Sequence, residues 1–208
     1  MVDTQIRPSD VTKFPIINAF LSISREKFVP DGKREAAYVG ENLKIGSSRV
    51  ILEPRTLAKM LDALDINNNE LVLDIGPGLG YSSAVISQIA EVVIAVEDDS
   101  SLASEAEEIL SEVGVDNVVV QVSKLEEGAP EHGPYDVIIL QGGVEKIPAS
   151  ILKQLKDGGR VGAIFIEEGL GTAKIGFKLN EKVSWRYCFN AAAPVLPGFF
   201  KQKDFALE

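Results

Sequence analysis

Leu71-Val72-Leu73-Asp74-Ile75-Gly76-Pro77-Gly78-Leu79-Gly80 decides the fold of this chain. Its first residues are mostly apolar and partly β-branched, as in a buried strand. An acidic residue sits at the strand's carboxyl end, and three glycines follow at alternate positions. Tyr81-Ser82-Ser83-Ala84-Val85-Ile86-Ser87-Gln88-Ile89 then reads as a helix. A strand, a tight glycine turn and a helix amino terminus together form a nucleotide-type site. Glycine turns sharply there and lets a ligand approach the backbone without a Cβ in the way.

The spacing of the glycines separates two ligand classes. Dinucleotide sites show G-x-G-x-x-G, in which the pyrophosphate lies on the helix dipole. Here the spacing is G-x-G-x-G, with Asp74 two residues before the first glycine. That form suits S-adenosylmethionine, which carries an ammonium and a sulfonium and no phosphate. Val92-Val93-Ile94-Ala95-Val96 reads as the next strand and ends in Glu97-Asp98-Asp99, where a carboxylate can accept hydrogen bonds from both ribose hydroxyls. The expected cofactor-contacting set is Asp74, Gly76, Gly78, Gly80, Tyr81, Ser82, Glu97 and Asp98. The bland alternative is an ordinary α/β turn followed by a solvated acidic helix cap.

Composition bounds the remaining possibilities. A chain of 208 residues, 45% hydrophobic and 25% charged, fits one globular domain with a modest addition. A net charge of -10 and the lack of a basic stripe argue against nucleic acid as a partner. One cysteine, Cys188, leaves no internal disulfide and fits a reducing compartment. The single histidine, His132, reads as a loop residue, and no cluster has metal-ligand spacing. The amino terminus lacks the apolar core of a signal peptide, and no apolar run reaches membrane-spanning length. A cytoplasmic protein without a membrane partner is expected.

Outward from the glycine turn, residues 9–24 read as a helix with Ser9 as N-cap. Val11, Phe14, Ile17, Phe20 and Leu21 form its stripe, and Pro15 kinks or restarts it. Asp31 to Leu52 reads as loop-rich. Pro54 opens a helix with a stripe of Leu57, Met60, Leu61 and Leu64. After the glycine turn, strand and helix alternate: helix 101–113, strand 117–122, strand 135–140 ending at Gln141-Gly142-Gly143, helix 148–155 and strand 160–166. Alternating strands at 172–179 and 182–190 follow, with a last one near 199–206. The order implies a parallel sheet with right-handed crossovers and an antiparallel end.

An ordered set of stretches resembles the protein-L-isoaspartate O-methyltransferases, a branch of the class I S-adenosylmethionine-dependent enzymes. Residues 71–80 are similar to the family's glycine motif, Phe28-Val29-Pro30 to the end of its amino-terminal helical segment, and Tyr38 to an aromatic before its active-site loop. Pro130-Glu131-His132-Gly133-Pro134-Tyr135-Asp136, Ile147-Pro148 and Leu155-Lys156-Asp157-Gly158-Gly159-Arg160 resemble its approach to the fourth strand and the helix and turn beyond. The resemblance implies a three-layer α/β/α Rossmann-like sandwich of about seven strands. It implies an amino-terminal helical cap with an active-site loop over 1–54 and a methyltransferase domain over 55–208. It also implies S-adenosylmethionine as cofactor and a peptide or protein carrying isoaspartate as substrate, methylated on its carboxylate in protein repair.

The acceptor loop departs from that pattern. The family's loop usually reads Gly-Gln-Thr-Ile-Ser-Gln-Pro; here it is Ser48-Arg49-Val50-Ile51-Leu52-Glu53-Pro54. Val50 and Leu52 replace the two hydroxyl residues, and Arg49 and Glu53 the two glutamines. Arg49 either holds the acceptor carboxylate through two parallel bonds or pairs with Glu53 and plays no chemical part. After the third strand the family's Gly-Asp-Gly, whose aspartate faces the adenine, is replaced by Ser123-Lys124-Leu125. Two classes stay open: a methyltransferase for isoaspartate or another acceptor, and a non-catalytic member serving as a binding scaffold.

Overall fold

The computed structural model describes residues 1–46 and 49–201. Two short strands, β1 (Leu43–Lys44) and β2 (Val50–Ile51), pair antiparallel. The main sheet consists of β3 (Leu71–Ile75), β4 (Val92–Glu97), β5 (Val118–Val122), β6 (Tyr135–Val144), β7 (Leu155–Glu167), β8 (Leu170–Leu179) and β9 (Lys182–Asn190). Their order is β5-β4-β3-β6-β7-β8-β9. The five strands from β5 to β7 are parallel, and β8 and β9 close the sheet as an antiparallel meander. The helices are α1 (Phe14–Ser22), α2 (Pro54–Leu64), α3 (Tyr81–Ser87), α4 (Ser100–Glu112) and α5 (Ala149–Lys153). A seven-stranded Rossmann-like sandwich is therefore present, as the sequence indicates.

Successive residues of the central strands feed opposite layers. Val72, Val137 and Ile139 pack with Phe20, Leu61 and Val85 of the first three helices. Leu73, Ile75, Ile138 and Leu140 pack with Ile151 of α5 and with Leu196 and Phe199. Burial on both faces is why these strands read as unbroken apolar runs. The second layer is thin, because α5 has only five residues and an extended stretch supplies much of the rest.

The chain moves from β3 outward through β4 to β5, then crosses back to β6 on β3's other side. That reversal opens a crevice at the carboxyl ends of the strands, where open α/β sheets bind ligands. Helix α2 borders it with Leu57, Met60, Leu61 and Leu64 buried, as their spacing predicts, and stops at Asp65 in the left-handed region (φ 51°). Arg160 anchors that end: Nε donates to Leu64 O at 2.8 Å, and Nη1 and Nη2 grip the Glu70 carboxylate at 2.8 and 2.7 Å.

Several boundaries differ from the sequence reading. The first helix does not span 9–24. Ser9 ends a 3₁₀ turn (Arg7–Ser9), and its Oγ donates to Gln5 O at 2.7 Å rather than capping a helix. Pro15 instead lies in the first turn of α1, where a missing N–H costs nothing. Of the expected stripe, Val11, Ile17 and Phe20 are buried, but the buried face of α1 runs through Ile16, Ile17, Ala19 and Phe20 and leaves Phe14 and Leu21 76% and 63% exposed. Asp31 to Leu52 holds a 3₁₀ turn (Asp31–Ala36) and the β1–β2 hairpin. β6 continues through Gln141-Gly142-Gly143 to Val144, with a register irregularity after Ile139. β7 starts at Leu155, and an irregularity opposite Tyr135–Val137 absorbs the Asp157–Gly159 turn. Phe199–Lys201 form no strand, and 202–206 lie outside the described residues. No helix among the described residues is long and apolar enough to cross a membrane.

Candidate cofactor site

The glycine turn lies where its sequence places it, at the end of β3. Gly76, Gly78 and Gly80 all have positive φ, +76°, +60° and +88°, which side chains rarely adopt. Gly80 precedes the first residue of α3, and Gly76 N donates to Val96 O of β4 at 2.8 Å. The turn is thereby locked against the neighbouring strand.

Asp74 is fully buried beneath the turn. Its Oδ2 accepts from Ser82 Oγ and Ser83 Oγ, both at 2.7 Å, and its Oδ1 from Gln141 Nε2 at 2.7 Å. Burial pushes its carboxyl pKa up, and the three hydrogen bonds act against that rise. Asp74 thus ties β3 to α3 and β6, and the ammonium role expected for it would add to this structural one. Ser83 and Gln141 were not singled out from the sequence. Gln141 carries a local signal, as a polar residue ending an apolar strand beside two glycines.

Glu97, also fully buried, ends β4. Gly78 N donates to its Oε2 at 2.9 Å, while Asp98 N and Asp99 N donate to Oε1 at 3.0 and 3.2 Å. Arg49 Nη2 also donates to Oε1, and reaches Asp98 Oδ1 at 3.0 Å. Burial raises the Glu97 pKa, opposed chiefly by the Arg49 charge. Asp99 caps α4, accepting from Ser101 N at 2.9 Å and Leu102 N at 3.2 Å.

The acceptor loop is not an open loop. Val50 and Ile51 form β2, and Arg49, Val50, Ile51 and Leu52 are all at most 6% exposed. Arg49 does not pair with Glu53, whose Oε1 accepts from Thr56 Oγ1 at 2.7 Å and lies 3.8 Å from Arg55 Nη1. Its guanidinium turns the other way, into the crevice. Between Val50, Leu52, Pro77, Ser82 and Gln141 only about 10 Å³ remains, while a cavity of about 320 Å³ lies outside Arg49, bordered by Ile45, Asp98, Asp99, Leu102 and Pro197.

Tyr81 and Ser82, grouped with the cofactor contacts by position, both border the small space beside Pro77 and Gln141. Ser82 is spent on Asp74. The Tyr81 ring is fully buried against Phe20 and Phe28, with Arg25 4.7 Å above it, and burial lifts its hydroxyl pKa to about 12. Lys124 pairs with Glu127 at 3.0 Å on the surface. Among the described residues no group of three or more His, Cys, Asp or Glu is gathered as a metal ion would require.

Two crevice residues escaped the sequence reading. A side chain on Gly78 would run into Ile45 Cδ1, and one on Gly142 would meet Leu196 Cδ2 at 2.6 Å; Leu196 also lies over Gly76. Leu196 is delivered by the segment after β9, which returns across the sheet: Gly143 N donates to Pro194 O at 2.7 Å and Leu196 N to Gly143 O at 2.9 Å. The site's chemistry suits S-adenosylmethionine, with a carboxylate at each of two adjacent strand ends and Gly76 and Gly78 facing the crevice, while Gly80 leaves room for Ala106 and Leu110 of α4. The present positions of Ile45, Arg49 and Leu196 close the crevice over that set.

This sheet order, with a G-x-G-x-G turn at the switch point and an acid ending the next strand, defines a Rossmann-like methyltransferase. Residues 1–183 match the family model described as protein-L-isoaspartate(D-aspartate) O-methyltransferase, and the chain belongs to that family. It is 36% identical over 185 residues to a protein-L-isoaspartate O-methyltransferase of Syntrophus aciditrophicus, covering 87% of this chain and 85% of that one. It is 34% identical over 161 residues to one of Syntrophobacter fumaroxidans, covering 77% and 75%. A solved protein-L-isoaspartate O-methyltransferase superposes with a TM-score of 0.83 at 26% identity, over 92% of this chain and 63% of that longer one. A Plasmodium falciparum structure described as that enzyme type in complex with S-adenosyl-L-homocysteine superposes at 0.79 with 17% identity, a likeness of fold.

Proposed function

We propose that this protein methylates the carboxylate of L-isoaspartyl residues in damaged proteins, using S-adenosylmethionine, in cytoplasmic protein repair. Family membership supports the reaction, and one structural observation carries the cofactor. Asp74 and Glu97 end adjacent strands on either side of a turn whose three glycines have positive φ.

In this reading residues 1–54 cap the crevice and supply the acceptor loop, and 55–208 hold the cofactor. Gly76, Gly78 and Gly80 line it, Glu97 with Asp98 takes the ribose hydroxyls, and Asp74 lies on the ammonium side. Tyr81 and Ser82 border it beside Pro77. When bound, S-adenosylmethionine supplies an electrophilic methyl group. The acceptor carboxylate is already ionised at neutral pH, so no strong general base is required of the chain. What its residues contribute is approach and alignment, for which effective molarities can account for about 7–11 kcal/mol.

The test is transfer of labelled methyl from S-adenosylmethionine to an isoaspartyl peptide, with the aspartyl peptide as control. Label on the first peptide only supports the assignment. The buried, closed Arg49–Leu52 segment favours a second reading, a cofactor-binding scaffold without isoaspartyl activity. Binding of S-adenosylhomocysteine without label on either peptide would select it.

A further inference from the structure

We propose that Arg49 is a built-in competitor of the cofactor, occupying the carboxylate that the ribose hydroxyls would use, so that the cofactor binds only when this guanidinium swings away. The inference rests on the cofactor reading above and adds a regulatory contact to it.

The hydrogen bonds at Glu97 carry the argument. Oε1 already accepts from Arg49, Asp98 N and Asp99 N, and Oε2 from Gly78 N. The three backbone donors belong to the fold. Arg49 is the one side-chain donor among them, so ribose hydroxyls reach Oε1 only when its guanidinium swings away. Its other arm occupies the glycine turn itself: Nη1 lies 2.7 Å from where a Cβ on Gly76 would stand.

The closed state carries its own weakness. Arg49 is 6% exposed, yet Nη1 is buried without a hydrogen-bond partner among the described residues. A charged donor left unpaired in that setting favours release. The charged groups facing the guanidinium are Glu97, fully buried, and Asp98, whose side chain is 29% exposed, so one arm of the latch stands at the solvent rim. Ile45 and Arg49 enter together, because Ile45 N donates to Arg49 O at 3.0 Å and Ile45 lies over Gly78.

The experiment is calorimetric titration of S-adenosylhomocysteine into wild type, Arg49→Gln and Ile45→Ala, each at low and high salt. Arg49→Gln keeps a polar side chain and removes the charge. Ile45→Ala opens the same turn and leaves Glu97 and its partners untouched, so it reports even if Arg49→Gln folds poorly. The expected result is at least tenfold tighter binding by Arg49→Gln and a smaller gain in Ile45→Ala. Salt should tighten wild-type binding by loosening the ion pair and leave Arg49→Gln unchanged. If all three bind equally, or the variants bind more weakly, the latch is overturned and the cofactor reading stands. If none binds at millimolar ligand, the cofactor reading falls and the latch with it.

Discussion

The guanidinium of Arg25 donates from Nη2 to the carbonyl of Leu52 at 2.8 Å, and so joins the 3₁₀ turn Arg25–Phe28 to the residue that follows β2. The same side chain donates from Nε to Ala37 O at 2.8 Å, covers Tyr81 and is fully buried. Burial lowers its pKa, with the Tyr81 hydroxyl working the other way. A charge this deep holds its place through the carbonyls and the ring around it.

Arg25→Met keeps much of the volume and strands two buried carbonyls. Each unpaired group costs about 1–3 kcal/mol, and 1 kcal/mol moves the melting temperature of a domain this size by roughly 2–4 °C. Thermal unfolding should show a fall of about 5–20 °C. A change within experimental error would mean that Arg25 does not hold these two segments together.

Gly78→Ala should destabilise through two separable effects, the left-handed φ of +60° and the clash with Ile45. The strain at a non-glycine residue costs about 1–3 kcal/mol. Adding Ile45→Ala removes the clash and leaves the strain. In a double-mutant cycle from denaturant unfolding, the pair should be more stable than the sum of the single losses predicts, by at least about 0.5 kcal/mol. Strict additivity would place Ile45 away from the turn.

Restoring the family's hydroxyls by Val50→Thr with Leu52→Ser should cost stability, because these residues are 5% and 2% exposed. A buried hydroxyl without a partner costs about 1–3 kcal/mol, so urea unfolding should show a combined loss of about 2–6 kcal/mol. An unchanged midpoint would mean that the segment opens readily enough to solvate both hydroxyls.

Stability at acid pH should depend on Glu70 and Asp136. Burial works to raise both pKa values, and hydrogen bonds from Arg160 and Asn67 to Glu70, and from Lys156 and Leu71 N to Asp136, outweigh it and leave both lowered from 4.5 and 3.8. An acid lowered on folding stabilises fully above its ordinary value, and that contribution is lost as pH falls through the lowered one. Glu70→Gln should therefore be less stable than wild type at neutral pH and lose less stability on acidification below about pH 4.5. Parallel curves of melting temperature against pH would refute the assignment.

Lys124 cannot accept a hydrogen bond from an adenine amino group, and its Nζ is engaged by Glu127 on the surface. Lys124→Asp should leave the melting temperature unchanged and tighten S-adenosylhomocysteine severalfold by calorimetry. A clear loss of affinity with an intact fold would show that this residue does not face the adenine.

The central strands were legible because burial on both faces leaves unbroken apolar runs between glycine turns, as in Leu71–Ile75 and Val137–Leu140. Asp74, Glu97 and the glycines were legible because strand end, turn and helix are contiguous. The closing of the crevice was not. Ile45, Arg49 and Leu196 reach the turn from two distant segments, and nothing local in Gly46 to Val50 or in Ala191 to Leu196 indicates that meeting. The buried Arg25 was hidden for the same reason, since its partners Ala37 and Leu52 offer main-chain carbonyls that any residue has. The late start of α1 was legible in Pro15, where the sequence allows a kink or a restart and the helix restarts.

The return of the chain after β9 makes the cleft a long-range construction. Leu196 lies against Gly76 and Gly142, and Ala192 O accepts from Asn42 Nδ2 at 2.6 Å, so the stretch after β9 walls a cleft whose floor comes from residues more than a hundred positions earlier in the chain. The wall is tied to that floor by side-chain packing and a few hydrogen bonds rather than by a full strand ladder. Selectivity of the cleft therefore rests on the docking of this one stretch, and Leu196→Ala would thin the wall over Gly76 while leaving the seven-stranded sheet in place.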